Sequence, residues 1–132
     1  MRIIAGKLKG SKLHIASDKK TRPLKDMARE SIFNLLTHSN KILLKLEDSN
    51  VLDLYAGTGS FGLECLSRQA KCVYFVENEK SAFKILQKNV EKLKMKKKTK
   101  TFLNDVFDFF FIFNFSTFFC KILNVDFSFS TK

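Results

Sequence analysis

The run Val51-Leu52-Asp53-Leu54-Tyr55-Ala56-Gly57-Thr58-Gly59-Ser60-Phe61-Gly62-Leu63-Glu64 limits what this chain can fold into more than any other part of it. An apolar segment short enough for a buried strand, Val51 to Leu54, breaks at Gly57 and Gly59. Apolar residues then resume at helical spacing, Phe61, Leu63 and Leu66, with Glu64 and Arg68 expected on the outer side. A strand, a glycine turn and a helix in that order open a βαβ unit and so predict an α/β fold. Glycine allows positive φ and close approach of a ligand. The helix N-terminus beyond offers unpaired N–H groups and partial positive charge. The turn is therefore expected to bind a small anionic or zwitterionic ligand.

Gly57-x-Gly59-x-x-Gly62 satisfies the dinucleotide fingerprint. Glu77, closing the next apolar run Cys72–Val76, is placed for ribose hydroxyls in either a nicotinamide dinucleotide site or an S-adenosylmethionine site. Asp53, four residues before Gly57, separates the two readings. A dinucleotide loop usually puts its first glycine directly after an apolar strand. Asp-x-x-x-Gly-x-Gly instead resembles the first motif of class I S-adenosylmethionine-dependent methyltransferases, whose acid helps position the methionine end of the cofactor. The plainer alternative is a strand-end acid that accepts turn N–H groups.

Composition sets the boundaries of the problem. A chain of 132 residues is one domain at most, and 45% hydrophobic content is enough for a core. Lys and Arg number 24 against 13 Asp and Glu, a net charge of +11 that favours a polyanionic partner, nucleic acid before an anionic membrane. A merely soluble basic surface is the competing explanation. Cys65, Cys72 and Cys120 lack CxxC spacing and read as buried or free thiols of a reducing cytoplasm, neither a disulfide frame nor a zinc site. His14 and His38 are isolated and read as surface residues, so no metal is expected. Met1-Arg2-Ile3-Ile4 runs into Gly6-Lys7 without a signal-peptide apolar segment.

Along the chain, residues 1–15 predict a hairpin about Gly6–Gly10, made basic by Arg2, Lys7, Lys9 and Lys12 and suited to phosphates. Thr21-Arg22-Pro23 is a connector. Leu24–Leu36 predicts a helix, Ile42–Leu46 a second helical piece, Glu79–Leu93 a crossover helix, and Thr101–Leu103 a third strand. Six lysines between Lys92 and Lys100 read first as a solvated helix end and loop.

Arg2-Ile3-Ile4-Ala5-Gly6-Lys7 with Gly10, Thr21-Arg22-Pro23, Arg29-Glu30-Ser31-Ile32-Phe33-Asn34, Asp53-Leu54-Tyr55-Ala56-Gly57-Thr58-Gly59 and Val76-Glu77 together resemble the RsmD family of bacterial 16S ribosomal RNA guanine-N2 methyltransferases. The resemblance runs from residue 1 to about 105. It implies a class I, Rossmann-like doubly wound sheet with a small N-terminal RNA-binding extension, and S-adenosylmethionine at the switch point. Asp53, Ala56, Gly57, Thr58 and Gly59 would hold the methionine part, Glu77 the ribose, and Asn104 and Asp105 would edge the adenine. Arg2, Lys7, Lys9, Arg22 and Arg29 would face ribosomal RNA of the small subunit. Three stretches are expected: an extension over 1–48, a cofactor-binding half over 49–105 and a Phe-rich tail over 106–132.

The sequence departs from that family at one place. The family's acceptor for the amine is the first residue of an Asp/Asn-Pro-Pro-Tyr/Phe turn, and the only proline here is Pro23. Asn114-Phe115-Ser116-Thr117 lacks both prolines, so no catalytic residue is assigned. Eleven of the fifteen phenylalanines fall in the last 31 residues, where glycine is absent. That tail is expected to be either an aromatic helix or insertion ahead of a missing catalytic loop, with a strand-like stub at Ile122–Phe127, or sequence read out of frame from about residue 105. It is too short and interrupted to span a membrane.

Overall fold

The computed structural model describes residues 1–16, 26–38 and 45–112. Expectations for Arg22 and its connector, for residues 42–44 of the second helical piece, for Asn114 and Cys120, and for everything from residue 113 onward lie outside the described residues.

Three parallel strands form one sheet in the order β1 (Asn50–Leu54), β2 (Cys72–Glu77) and β3 (Thr99–Leu103). The helices are α1 (Asp26–His38), α2 (Ser60–Ser67), α3 (Lys80–Lys92) and α4 (Val106–Ile112), with a 3-10 turn at Lys96–Lys98. Period-two alternation sorts the sheet's side chains onto two faces. Val73 and Phe75 pack with Leu63, Leu66, Leu86 and Val90 from α2 and α3. Val76 packs on the opposite face with Val106 and Phe109 of α4, beside Leu52, Leu54 and Phe102. Ile3, Leu13 and Phe33 are buried in the first of these cores, so the N-terminal stretch shares its interior with the sheet. Likewise α4 is seated on the sheet, across the expected division at 105.

The expected hairpin forms: around the antiparallel Arg2–Lys12 bridge, the Ile3 N–H donates to the Ser11 carbonyl, the Gly10 N–H to the Ile3 carbonyl and the Leu13 N–H to the Met1 carbonyl, at 2.9–3.1 Å. Beside its turn, Ile4 and Ala5 give their N–H groups to the Glu64 carboxylate, at 2.8 and 2.9 Å, which ties the hairpin to α2. This also corrects the expectation that Glu64 lies on the outer side of its helix: it is fully buried and paired with Arg68 at 3.0 Å. Gly6, at φ +80°, presses on the end of α2 so closely that a Cβ would stand 2.0 Å from the Ser67 carbonyl oxygen.

Candidate cofactor site

In a parallel sheet all strands end at one edge, and the loops that follow them meet there. At this edge the Ala56 N–H donates to the Val76 carbonyl and the Asn104 N–H to that of Glu77, each at 3.0 Å. The turn after β1, the tip of β2 and the tip of β3 are thereby brought side by side. The sequence's cofactor candidates Asp53, Ala56, Gly57, Thr58, Gly59, Glu77, Asn104 and Asp105 all lie on this rim.

Local conformation explains the turn. Tyr55, Gly57 and Gly59 have φ of 56, 57 and 81°, reversing the chain between strand and helix. At Gly59 and Gly62 the need for glycine is internal: a Cβ would meet Leu86 Cδ1 at 2.3 Å or Phe75 Cε1 at 2.4 Å. The last two glycines of the fingerprint thus serve packing of the turn on α3 and of α2 on β2.

Two carboxylates line the turn. Asp53 shares the face of Val51, under α2, and accepts the Gly62 N–H at 3.0 Å. Glu77 accepts from Gly57 N–H at 2.6 Å through one oxygen and from Glu79 N–H at 2.7 Å through the other. Burial pushes the Asp53 carboxyl up to about 6; the Gly62 hydrogen bond draws it down and the neighbouring Glu77 charge adds to the rise. With its helix-start donor at Gly62 already taken by an acid, and a second acid on Gly57, the rim repels a pyrophosphate. As acceptors, the two carboxylates suit hydroxyls and a cationic or zwitterionic group.

Asp105 takes a structural part at the same rim. Its carboxylate accepts the Phe107 N–H at 2.8 Å, capping α4. Thr58 is buried, and its carbonyl accepts from Asn89 Nδ2 at 2.9 Å. Asn89, on α3, also accepts the His14 N–H at 2.7 Å and donates to the His14 carbonyl at 3.0 Å. Sequence reasoning passed over Asn89. The signal was a polar residue between Leu86, Val90 and Leu93 on an apolar helical face.

Of the residues expected to face RNA, Arg2, Lys7 and Lys9 are exposed. Arg29 is corrected: it is fully buried, donating to the Arg2 carbonyl at 2.7 Å and the Ser60 carbonyl at 3.3 Å, and paired with Asp26 at 2.6 Å. A buried guanidinium is retained only with such partners, and here it clamps α1, the N-terminal segment and the start of α2 together. Among the described residues no group of three or more His, Cys, Asp or Glu could hold a metal ion, and no helix is long and apolar enough to cross a membrane.

Comparison with known proteins agrees with this geometry. The family described as Conserved hypothetical protein 95 matches residues 1–113. The Ribosomal RNA small subunit methyltransferase D of Haemophilus influenzae is 42% identical over 94 residues, covering 71% of this chain and 46% of the relative. Its Escherichia coli counterpart of the same name is 36% identical over 94 residues, covering 71% and 44%. The solved structure of the Escherichia coli protein YhhF, described as a methyltransferase, superposes with a TM-score of 0.68 at 31% identity over 83% of this chain and 55% of that one. The chain spans about half the length of the curated relatives it matches.

Proposed function

The chain belongs to the Conserved hypothetical protein 95, or RsmD, family and has its class I methyltransferase fold, and from that premise we propose that it is a cytoplasmic, S-adenosylmethionine-binding guanine-N2 methyltransferase of small-subunit ribosomal RNA whose transfer step is impaired in this chain. The observation that carries the reading is the pair of acids, Asp53 and Glu77, closing on the Gly57 turn at the strand tips. Asp53, Ala56, Gly57, Thr58 and Gly59 would hold the methionine part, Glu77 the ribose hydroxyls, and Asn104 with the Asp105 cap the adenine edge. Arg2, Lys7, Lys9 and Arg22 would contact RNA. The cofactor supplies a methyl group on a sulfonium, already activated for transfer to an amine. What these residues do is bind and orient it, and keep a negative rim around its positive charge.

No Pro-Pro turn occurs in the 132 residues, so no side chain is assigned to hold the target amine in line. The expected behaviour of this chain is weak cofactor binding with little or no methyl transfer. Calorimetry with S-adenosylmethionine and with NAD, using Gly57→Asp as the control, tests the reading. Heat with the first ligand alone, abolished in the variant, supports it; binding of NAD in preference overturns it. Labelled methyl on guanine N2 of small-subunit RNA would show that a proline-free acceptor suffices. A second reading, a non-catalytic RNA-binding fragment, draws on Glu77, both of whose oxygens already accept backbone N–H groups. It predicts RNA binding with no heat from either nucleotide.

A further inference from the structure

We propose that the edge from which the strands start, opposite the cofactor rim, is a second RNA-backbone surface carried by Lys71, Lys94, Lys96, Lys97 and Lys98. This rests on the reading of the chain as an RNA-acting protein and extends the contact beyond the N-terminal arm. Lys71 leads into β2 and Lys98 into β3, and these strands are neighbours in the register Val73–Thr99. Asp53, Gly57, Glu77 and Asn104 stand at the other ends of the strands, roughly 16–20 Å away at about 3.3 Å per residue. The arm reaches the starting edge as well: α2 runs back from the rim, and the Lys7 N–H donates to the carbonyl of its last residue, Ser67, at 2.8 Å.

All five lysines are exposed, and among the described residues none takes part in an ion pair. Glu47, Asp48 and Glu91 are the acids of the adjoining segments, too few to balance them. Ordinary structural roles account for the flanking lysines only. Lys92 complements the negative end of α3, and Lys100 lies over the Tyr74 ring at 5.7 Å.

At Lys94 no structural role calls for lysine. The Met95 N–H bonds the Val90 carbonyl and the Lys94 N–H bonds that of Glu91, a Schellman cap that puts Lys94 at φ 56°. Glycine adopts that conformation at lower backbone cost than lysine, and Gln69 takes the equivalent place at the end of α2, at φ 75°. Phosphate contact supplies a use for the Lys94 charge. None of the large exposed apolar side chains (Ile15, Met27, Ile32, Leu35, Tyr55, Leu103, Phe107, Phe111) belongs to the segments that lead into β2 and β3. A membrane-inserting surface would need some there.

The test is a salt series of anisotropy titrations with a labelled RNA duplex of arbitrary sequence, comparing the full chain with Lys94→Gly and with the triple variant Lys96→Gln, Lys97→Gln, Lys98→Gln. Each lost phosphate contact lowers the slope of log affinity against log salt by about 0.9, so the triple variant is expected to lose about 2.7 in slope and roughly tenfold or more in affinity. Lys94→Gly is expected to raise Tm while lowering the slope, a combination that a purely structural residue does not give. Calorimetry with S-adenosylmethionine should be unchanged in both. Wild-type slopes in both variants overturn the proposal and leave the cofactor reading intact, as does a loss confined to phosphatidylserine vesicles. A wild-type chain that binds no RNA overturns this proposal together with the RNA part of the proposed function.

Discussion

Asp53 is held between two demands, a helix-start N–H that wants its charge and a desolvated place beside Glu77 that does not. The balance leaves its carboxyl at about 6, above its ordinary 3.8, a penalty at neutral pH of roughly 3 kcal/mol. The sign follows from linkage: the folded chain binds this proton more tightly than the unfolded one. Stability from this group is therefore greatest below the ordinary carboxylate range and falls as pH rises through about 6. Asp53→Asn is expected to gain about 2–3 kcal/mol in urea unfolding at neutral pH, to lose that gain below about pH 4, and to bind S-adenosylmethionine more weakly. Equal stability of the two proteins across that range would refute this account. Glu64 presents the reverse case, a buried acid that is fully used. Glu64→Ala strands two backbone donors and Arg68, and should cost roughly 3 kcal/mol, with faster amide exchange at Ile4 and Ala5.

The elements are set by how closely they must approach. Helix α2 lies on β2 with no room for a methyl at Gly62, where a Cβ would also stand 2.7 Å from Val73 Cγ1. Gly62→Ala should cost about 1–3 kcal/mol by overpacking. Gly10→Ala, at φ +84° with nothing within 4 Å, should cost only the left-handed backbone term of about 1 kcal/mol. Paired thermal melts compare them, and equal losses would show that helix-to-sheet contact does not fix that glycine. The same elements show what could be read in advance. Strand β2 begins and ends where expected, and α1, α3, β1 and β3 differ from expectation by at most two residues at their ends. Their apolar spacing is local information. The tie from the hairpin to Glu64, some sixty positions away, could not be read in advance, because no local pattern announces it.

At the scale of the molecule, the described residues form one sheet with a well-filled side toward α2 and α3 and a thinner one toward α4. Phe107 and Phe111, 77% and 90% exposed, stand on that last helix. Replacing both with Ser should reduce light scattering at high concentration without lowering Tm, since neither contributes buried area. Lower Tm would mean that they are covered. The strand-turn-helix order, the acids at the strand tips and the basic balance were determined by the sequence itself, because each follows from spacing, residue type or count. Only the tertiary structure decided that Arg29 and Glu64 are interior ties rather than surface charges, that Asn89 holds the glycine turn, and that the lysine run lies across the sheet from the rim. Those outcomes depend on which distant backbone groups need a partner once the chain is folded, and that need does not exist in the extended chain.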